Sequence, residues 1–331
     1  MSVKIAVLPR PSVQRRIFDQ SHWEQLETIG TVVRNMSEDP LQPETVQSVI
    51  QGADIAITSW GCIPLTRDIL DFAPHLKAVL HAAGTVKGVV TPDLWDKGIL
   101  VSSGNGPLGV GVAETALGLT IASLKHMWRL TDSTRNGGWG AERQQVRELY
   151  RITVGVVGAG KAGSHYIRLL RNFEVEILIY DPILTVEQAE AMGAKKADLE
   201  TVLAASDVVS IHAPSLPETY RMINRERLAL MKDDAILINT ARGALIDEAA
   251  LVDELRKGRL LACLDVTDPE PPAPDHPLRS LPNCILTPHI AGAVNNGIKR
   301  IGQFAIDEAK RLLAGEKLEG EVKGEQMNVL A

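Results

Sequence analysis

The chain has 331 residues, 45% of them hydrophobic and 23% charged, a composition that suits a soluble protein with a full core and sets two domains as the expectation. The net charge is −6, and the 35 Lys and Arg are scattered among 41 Asp and Glu, which points away from nucleic-acid and membrane surfaces. Cys62, Cys263 and Cys284 show no CxxC or other metal-ligand spacing and no disulfide framework, which suits a reducing cytoplasm and argues against a metal site.

Ser2-Val3-Lys4-Ile5-Ala6-Val7-Leu8 is strand-like and too short for the apolar core of a signal peptide. No apolar run is expected to reach membrane-spanning length. Strands are expected at residues 3–8, 31–35, 55–58, 78–80 and 99–102, with helices at 22–29, 43–51, 66–72 and 92–97. Such alternation implies a parallel sheet covered on both faces. Residues 111–130 read as one long helix. Its first part, Val112-Ala113-Glu114-Thr115-Ala116-Leu117-Gly118-Leu119-Thr120, is small and apolar nearly all round, so it should be buried between domains or against a second subunit. A glycine-rich loop, Arg135-Asn136-Gly137-Gly138-Trp139-Gly140, follows.

The stretch Val154-Gly155-Val156-Val157-Gly158-Ala159-Gly160-Lys161-Ala162-Gly163 reads as a β-branched strand, a glycine turn and the start of a helix. Gly158-x-Gly160-x-x-Gly163 is what a dinucleotide pyrophosphate needs: a tight turn, close backbone approach, close helix–strand packing and a helix N-terminus rich in N–H donors. A second strand at 175–180 ends on Asp181, about 20 residues past the glycines. A carboxylate there would accept hydrogen bonds from both ribose hydroxyls and repel a 2′-phosphate, which favours NAD over NADP. The alternative is an ordinary strand-terminal Asp before Pro182.

Further strands are expected at 208–212, 236–239, 261–266 and 285–287, and helices at 161–171, 186–192, 199–204 and 248–257. Six strands with right-handed crossovers make a doubly wound sheet. Residues 294–313 carry apolar side chains near helical spacing and should form a surface helix returning to the first domain.

Ligands in open α/β sheets bind at the carboxyl ends of the strands. His212-Ala213-Pro214, Thr240-Ala241-Arg242, Asp265 with Glu270, and His289 with Gly292 all follow predicted strands. Arginine holds a carboxylate in a planar fork. Histidine gives or takes a hydroxyl proton near neutrality, and a neighbouring carboxylate favours its imidazolium. Taken singly, such an Arg is also a surface ion-pair partner and such a His a packed or capping residue. Together with a nucleotide loop they suit hydride transfer coupled to a proton.

The runs Gly158–Gly163, Asn239-Thr240-Ala241-Arg242-Gly243, Leu264-Asp265-Val266 to Glu270-Pro271, and Thr287-Pro288-His289-Ile290-Ala291-Gly292 resemble the signatures of the D-isomer-specific 2-hydroxyacid dehydrogenase family. The resemblance implies an α/β protein of two domains with doubly wound parallel sheets. A Rossmann-type NAD-binding domain (104–294) would be inserted in a flavodoxin-like substrate domain (1–103 and 295–331). It implies Arg242 on the substrate carboxylate and carbonyl, His289 as acid/base and Glu270 as its partner. Asp265 would meet the nicotinamide amide. Gly158, Gly160, Lys161, Ala162, Gly163, Asp181, His212, Ala213, Pro214, Thr240, Ala241, Arg242, His289 and Gly292 would line the NAD site. Ala83-Gly84-Thr85-Val86 would hold the substrate carboxylate through backbone N–H groups, and the 111–130 helix would join a homodimer.

Two departures bear on the substrate. Val86-Lys87-Gly88-Val89-Val90 lacks the acidic and amide residues usual after that loop. Thr58-Ser59-Trp60-Gly61 has no cation where phosphoglycerate-type members carry an Arg, which disfavours a phosphate-bearing substrate unless Lys87 compensates. Trp60 and Trp139 are either pocket walls or packing residues. The expected activity is NAD-dependent interconversion of a small D-2-hydroxy acid and its 2-keto acid, of glyoxylate or hydroxypyruvate type. A dehydrogenase-like corepressor that senses NAD, and a phosphoglycerate dehydrogenase, are the alternatives. A formate dehydrogenase fits less well, because those enzymes place Gln where Glu270 stands.

Overall fold

A computed structural model describes residues 3–139 and 143–327. Ser2 of the strand-like N-terminal stretch, Gly140 of the glycine-rich loop and the last four residues of the expected substrate domain lie outside the described residues. The chain divides into two compact units, Met1–Leu108 with Ala293–Ala331, and Gly109–Gly292.

The first unit holds five parallel strands: β1 (Lys4–Val7), β2 (Thr31–Arg34), β3 (Ile55–Thr58), β4 (Ala78–His81) and β5 (Leu100–Ser103). Their order is β2-β1-β3-β4-β5, a doubly wound arrangement. Every residue of β3 and β4 is buried, as expected of central strands covered on both faces. The helix Lys299–Ala314 buries Ile301, Ala305, Ile306 and Ala309 in this unit's core. Gly302 lets it pass close to the helix Pro11–Ile17, since a Cβ there would lie 2.4 Å from the Ile17 carbonyl oxygen. The chain then pairs with β5: Ser103 donates to the Gly320 carbonyl at 2.8 Å and Val322 to that of Val101 at 2.8 Å. The buried Glu308 carboxylate locks this return, accepting from the Ser102 hydroxyl and from the amides of Glu319 and Gly320, both at 3.0 Å.

The second unit holds β6 (Tyr150–Val157), β7 (Glu174–Tyr180), β8 (Lys195–Lys196), β9 (Val208–Ile211), β10 (Ala235–Asn239), β11 (Leu260–Leu264) and β12 (Cys284–Leu286). The order is β12-β11-β10-β9-β6-β7-β8, all parallel. Seven strands stand where six were expected. The added one is two exposed lysines at the sheet edge, too short and polar to show a strand pattern. Order reverses at β6/β9, so the crevice for a ligand opens beyond the ends of those two strands.

The helix expected over 111–130 runs instead from Asn105 to Leu124, and a second helix spans Met127–Arg135. His126, in the left-handed region at φ 48°, breaks the run. Asn105–Leu124 is long and apolar enough to cross a membrane by length and composition, which corrects the expectation that no run reaches that length. Its glycines, alanines and threonines masked the signal. Val112, Ala113, Ala116, Leu119 and Leu124 are buried in the protein, and 44% of that window is covered in all, so packing accounts for one side of the helix. The helix Pro11–Ile17 was not foreseen, because its three consecutive polar residues, Gln14 to Arg16, obscure the apolar spacing.

Two histidines are buried at strand ends. His81 bonds Thr58 Oγ1 through Nδ1 at 2.9 Å, and His212 bonds Ser210 Oγ through Nε2 at 2.9 Å. Burial pushes each down to about 4 from the ordinary 6.5. Between those values the unfolded chain binds the proton and the folded chain does not. Stability should therefore fall as pH drops from 6.5 to 4, by about 3 kcal/mol per histidine. Thermal midpoints measured across that range should decline steeply, and His81→Asn should flatten the decline. A flat profile in the parent protein would show that neither ring is held neutral.

Candidate active site

The glycine turn after β6 is shaped by backbone contact. Gly158 sits at φ 101°, and a Cβ on it would lie 2.7 Å from the Ala213 nitrogen. A Cβ on Gly163 would lie 2.0 Å from the Gly158 oxygen. Neither position admits a side chain without displacing backbone. Gly160 is different: among the described residues nothing lies within 4 Å of its missing Cβ. The helix Lys161–Leu170 starts at Gly160 with no side-chain cap, so its first-turn N–H groups remain available to an anion. This is an open cradle bounded by two glycines that close-packing demands and one that it does not.

Asp181 does more than end β7. Its Oδ2 accepts from the Ala159 amide at 2.8 Å, and Oδ1 from Ile183 and Leu184 at 2.9 and 3.2 Å. It ties the glycine turn to the end of the neighbouring strand, where a ribose would lie. Asp181→Ala should relax discrimination against NADP and also loosen the turn. Competition between NADH and NADPH measures the first effect; an unchanged ratio would show that Asp181 does not face the ribose.

Two buried polar atoms beside this crevice have no hydrogen-bond partner among the described residues, Nδ1 of His212 after β9 and Oγ1 of Thr240 after β10. Leaving such atoms unpaired costs about 1–3 kcal/mol each. Orphaned polar atoms on adjacent strand ends, with the open cradle at Gly160, fit a dinucleotide cofactor. Ala213 is buried, while Pro214 is half-buried with its carbonyl accepting from Thr219 Oγ1 at 2.7 Å.

Arg242, Glu270 and His289 follow β10, β11 and β12, three adjacent parallel strands, and so reach one edge of the sheet. Asn239 shapes the Arg242 turn, accepting from Ala241 N at 3.0 Å and donating to the Arg242 carbonyl at 2.8 Å. Arg242 itself is exposed, with Nη1 donating to the Ala241 carbonyl at 2.6 Å. His289 Nδ1 meets Glu270 Oε1 at 2.7 Å, and both side chains remain open to solvent, 48% and 40% exposed.

The backbone of His289 lies in the left-handed region at φ 51°. That conformation costs a non-glycine residue of order 1–2 kcal/mol. Asp265, 1% exposed, offsets it. Its Oδ1 accepts from Thr287 Oγ1 at 2.6 Å and Ile290 N at 2.9 Å, its Oδ2 from Ala291 N at 2.7 Å, and its carbonyl from His289 N at 2.9 Å. The carboxylate expected at a nicotinamide amide is thus engaged by the His289 loop. Asn239, Thr287 and the Asp181–Ala159 bond were not foreseen as site-shaping. Only the Asx-turn tendency of Asn hinted at the first.

The Ala83-Gly84-Thr85 loop follows β4 in the first unit. Ser103 Oγ donates to the Gly84 carbonyl at 2.6 Å, and buried Val86 anchors its far end. Gly61, after β3, has Arg10 beside it: Nη2 lies 3.7 Å from where a Cβ would stand. The cation missing from the sequence after β3 arrives from the turn after β1. Trp60 is partly buried against this unit's core with Arg16 5.7 Å from its ring centroid, whereas Trp139 is 81% exposed.

Residues 117–291 match the family model described as D-isomer specific 2-hydroxyacid dehydrogenase, NAD binding domain. The chain is 34% identical over 317 residues to a glyoxylate reductase of Thermofilum pendens, covering 93% of each chain. It is 33% identical over 308 residues to a D-3-phosphoglycerate dehydrogenase of Methanocaldococcus jannaschii, covering 92% of this chain and 58% of that one. It spans about half the length of the phosphoglycerate dehydrogenases it matches first. Among solved structures, a phosphoglycerate oxidoreductase from Rhizobium etli is 25% identical, with a TM-score of 0.84 over 98% of this chain and 99% of that one. The second unit is an NAD-binding domain, and the chain belongs to the D-isomer-specific 2-hydroxyacid dehydrogenase family.

Proposed function

We propose that the protein is an NAD-dependent oxidoreductase that interconverts a small D-2-hydroxy acid and its 2-keto acid, of the glyoxylate or hydroxypyruvate type. The observation that carries this reading is the 2.7 Å contact between His289 Nδ1 and Glu270, on the sheet edge that also presents Arg242. NAD, when bound, supplies the hydride chemistry at the substrate's C2. With its Nδ1 proton directed at Glu270, the His289 ring has Nε2 left to give a proton to the carbonyl oxygen or take it from the hydroxyl. Glu270 holds the ring in place through that bond. Arg242 holds the substrate carboxylate in its fork and polarises the carbonyl. The Ala83-Gly84-Thr85 backbone is the proposed second grip on the carboxylate. The apolar Asn105–Leu124 helix is the proposed surface of a homodimer, and the cytoplasm the proposed compartment.

The similarity to a glyoxylate reductase over 93% of both chains supports the substrate class. Arg10 beside Gly61 favours a second reading, a substrate with a further anionic group such as a phosphate. Oxidation of NADH followed with glyoxylate, hydroxypyruvate, pyruvate, bulkier 2-keto acids and 3-phosphohydroxypyruvate tests both. Turnover confined to the phosphorylated acid, and lost in Arg10→Ala, would select the second. Absence of any response would favour a regulatory NAD-sensing protein instead.

A further inference from the structure

Glu248 opens the helix Glu248–Arg256, and its side chain is only 12% exposed. It is not needed as a cap, because Asp247 already accepts from the Ala250 amide at 3.1 Å. Burying a carboxylate is unfavourable unless strong hydrogen bonds compensate. Here Oε1 accepts from the Asp268 amide at 2.7 Å, a bond across 20 residues of chain. Oε2 faces His276 Nε2 at 3.6 Å. Asp268, Arg221 and Cys284 complete the ionisable surroundings, and burial raises the affinity of Glu248 for a proton.

The bonded segment leads directly to Glu270. Thr267 Oγ1 donates to the Pro269 carbonyl at 2.9 Å. On the other side, a Cβ on Gly243 would lie 2.1 Å from the Thr267 carbonyl carbon and 2.6 Å from the Asp268 nitrogen. The Arg242 turn therefore presses against the same backbone that Glu248 grips. Two fixed points bracket residues 267–268, and Glu270 stands two residues further on, 2.7 Å from His289.

We propose that Glu248 is a positioning residue for the acid–base pair: by holding the Asp268 amide it sets the path of the segment from Thr267 to Glu270, and so the reach of Glu270 to His289. The proposal rests on the assignment of His289 and Glu270 above. A charge-assisted bond to a backbone amide is stronger and more directional than a neutral one, which gives a carboxylate a reason to be buried here.

The test compares Glu248→Ala, Glu248→Gln and Glu270→Gln in the full chain. Glu248→Ala should lower kcat about 10- to 100-fold, the scale of a small misplacement near the reacting atoms. KM for NADH should stay within about twofold of the parent's, since the glycine turn is untouched. Glu248→Gln keeps an acceptor for the Asp268 amide and should recover most of kcat. Hydrogen exchange at Asp268 should accelerate in Glu248→Ala and stay slow in Glu248→Gln. Imidazole NMR resonances of His289 should move in Glu248→Ala toward those of Glu270→Gln. Parent-like kcat with a protected Asp268 amide in Glu248→Ala would overturn the proposal, and so would a folded Glu248→Gln that is as slow as Glu248→Ala. Should Glu248→Ala not fold, Glu248→Gln and Glu248→Asp carry the comparison, the shorter acid being the slower. A parent protein that turns over no 2-keto acid would sink the catalytic assignment, while the exchange and NMR results would still decide whether Glu248 controls the Glu270–His289 contact.

Discussion

His289→Gln should reduce turnover of the preferred 2-keto acid by roughly 10²–10⁴-fold, the usual loss when a general acid–base group is removed. Glutamine can hydrogen-bond a carbonyl oxygen but cannot carry the proton. The loss should fall on kcat, with binding of NADH left near the parent value, because the glycine turn and Asp181 lie on the other side of the β6/β9 crossover. The Asp265 bonds to Ile290 and Ala291 do not involve the imidazole, so the loop should keep its path. Stopped-flow single turnovers separate the proton-coupled step from product release. Turnover within a few-fold of the parent's would remove His289 from the chemistry.

Arg242→Ala should be nearly as severe, for a different reason. A fork that binds a carboxylate while polarising its neighbouring carbonyl acts in both the ground state and the transition state. Truncating one partner of such a pair costs about 2–5 kcal/mol. KM for the keto acid should therefore rise while kcat falls. Arg242→Lys should recover little, because an ammonium restores the charge and not the planar geometry. If Lys restored most of the activity, Arg242 would be acting as a point charge only. If Ala changed neither constant, the carboxylate would be held elsewhere. The turn itself should survive both substitutions, since Asn239 and Gly243 shape it and, among the described residues, the guanidinium bonds its own neighbour's carbonyl.

Much of the architecture was legible along the chain because the strands are central and parallel. Ile55-Ala56-Ile57-Thr58 and Ala235-Ile236-Leu237-Ile238-Asn239 are buried on both faces and so read as short apolar runs. Elements with weaker patterns were lost. The Lys195-Lys196 edge strand buries nothing, and the polar centre of Pro11–Ile17 hides its apolar face. The long helix was misplaced at both ends. It packs closely at Gly109, where a Cβ would lie 2.9 Å from the Ala162 nitrogen, a packing constraint that no local propensity encodes.

The sequence by itself determined where the chemistry-bearing residues stand along the chain. Glycine spacing, a strand-terminal acid and an Arg, a Glu and a His after successive strands are local features, and a parallel sheet carries every strand end to one side. The family resemblance implied that Glu270 partners His289; only the tertiary structure fixed that geometry and decided which other groups meet. It brought Glu270 to His289, turned the Asp265 carboxylate onto the His289 loop, set Arg10 beside Gly61 and buried Glu248 under Asp268. Contacts of this kind join residues 19 to 51 positions apart, and they arise from the close approach of separate loops, which the periodicity of a single element does not record.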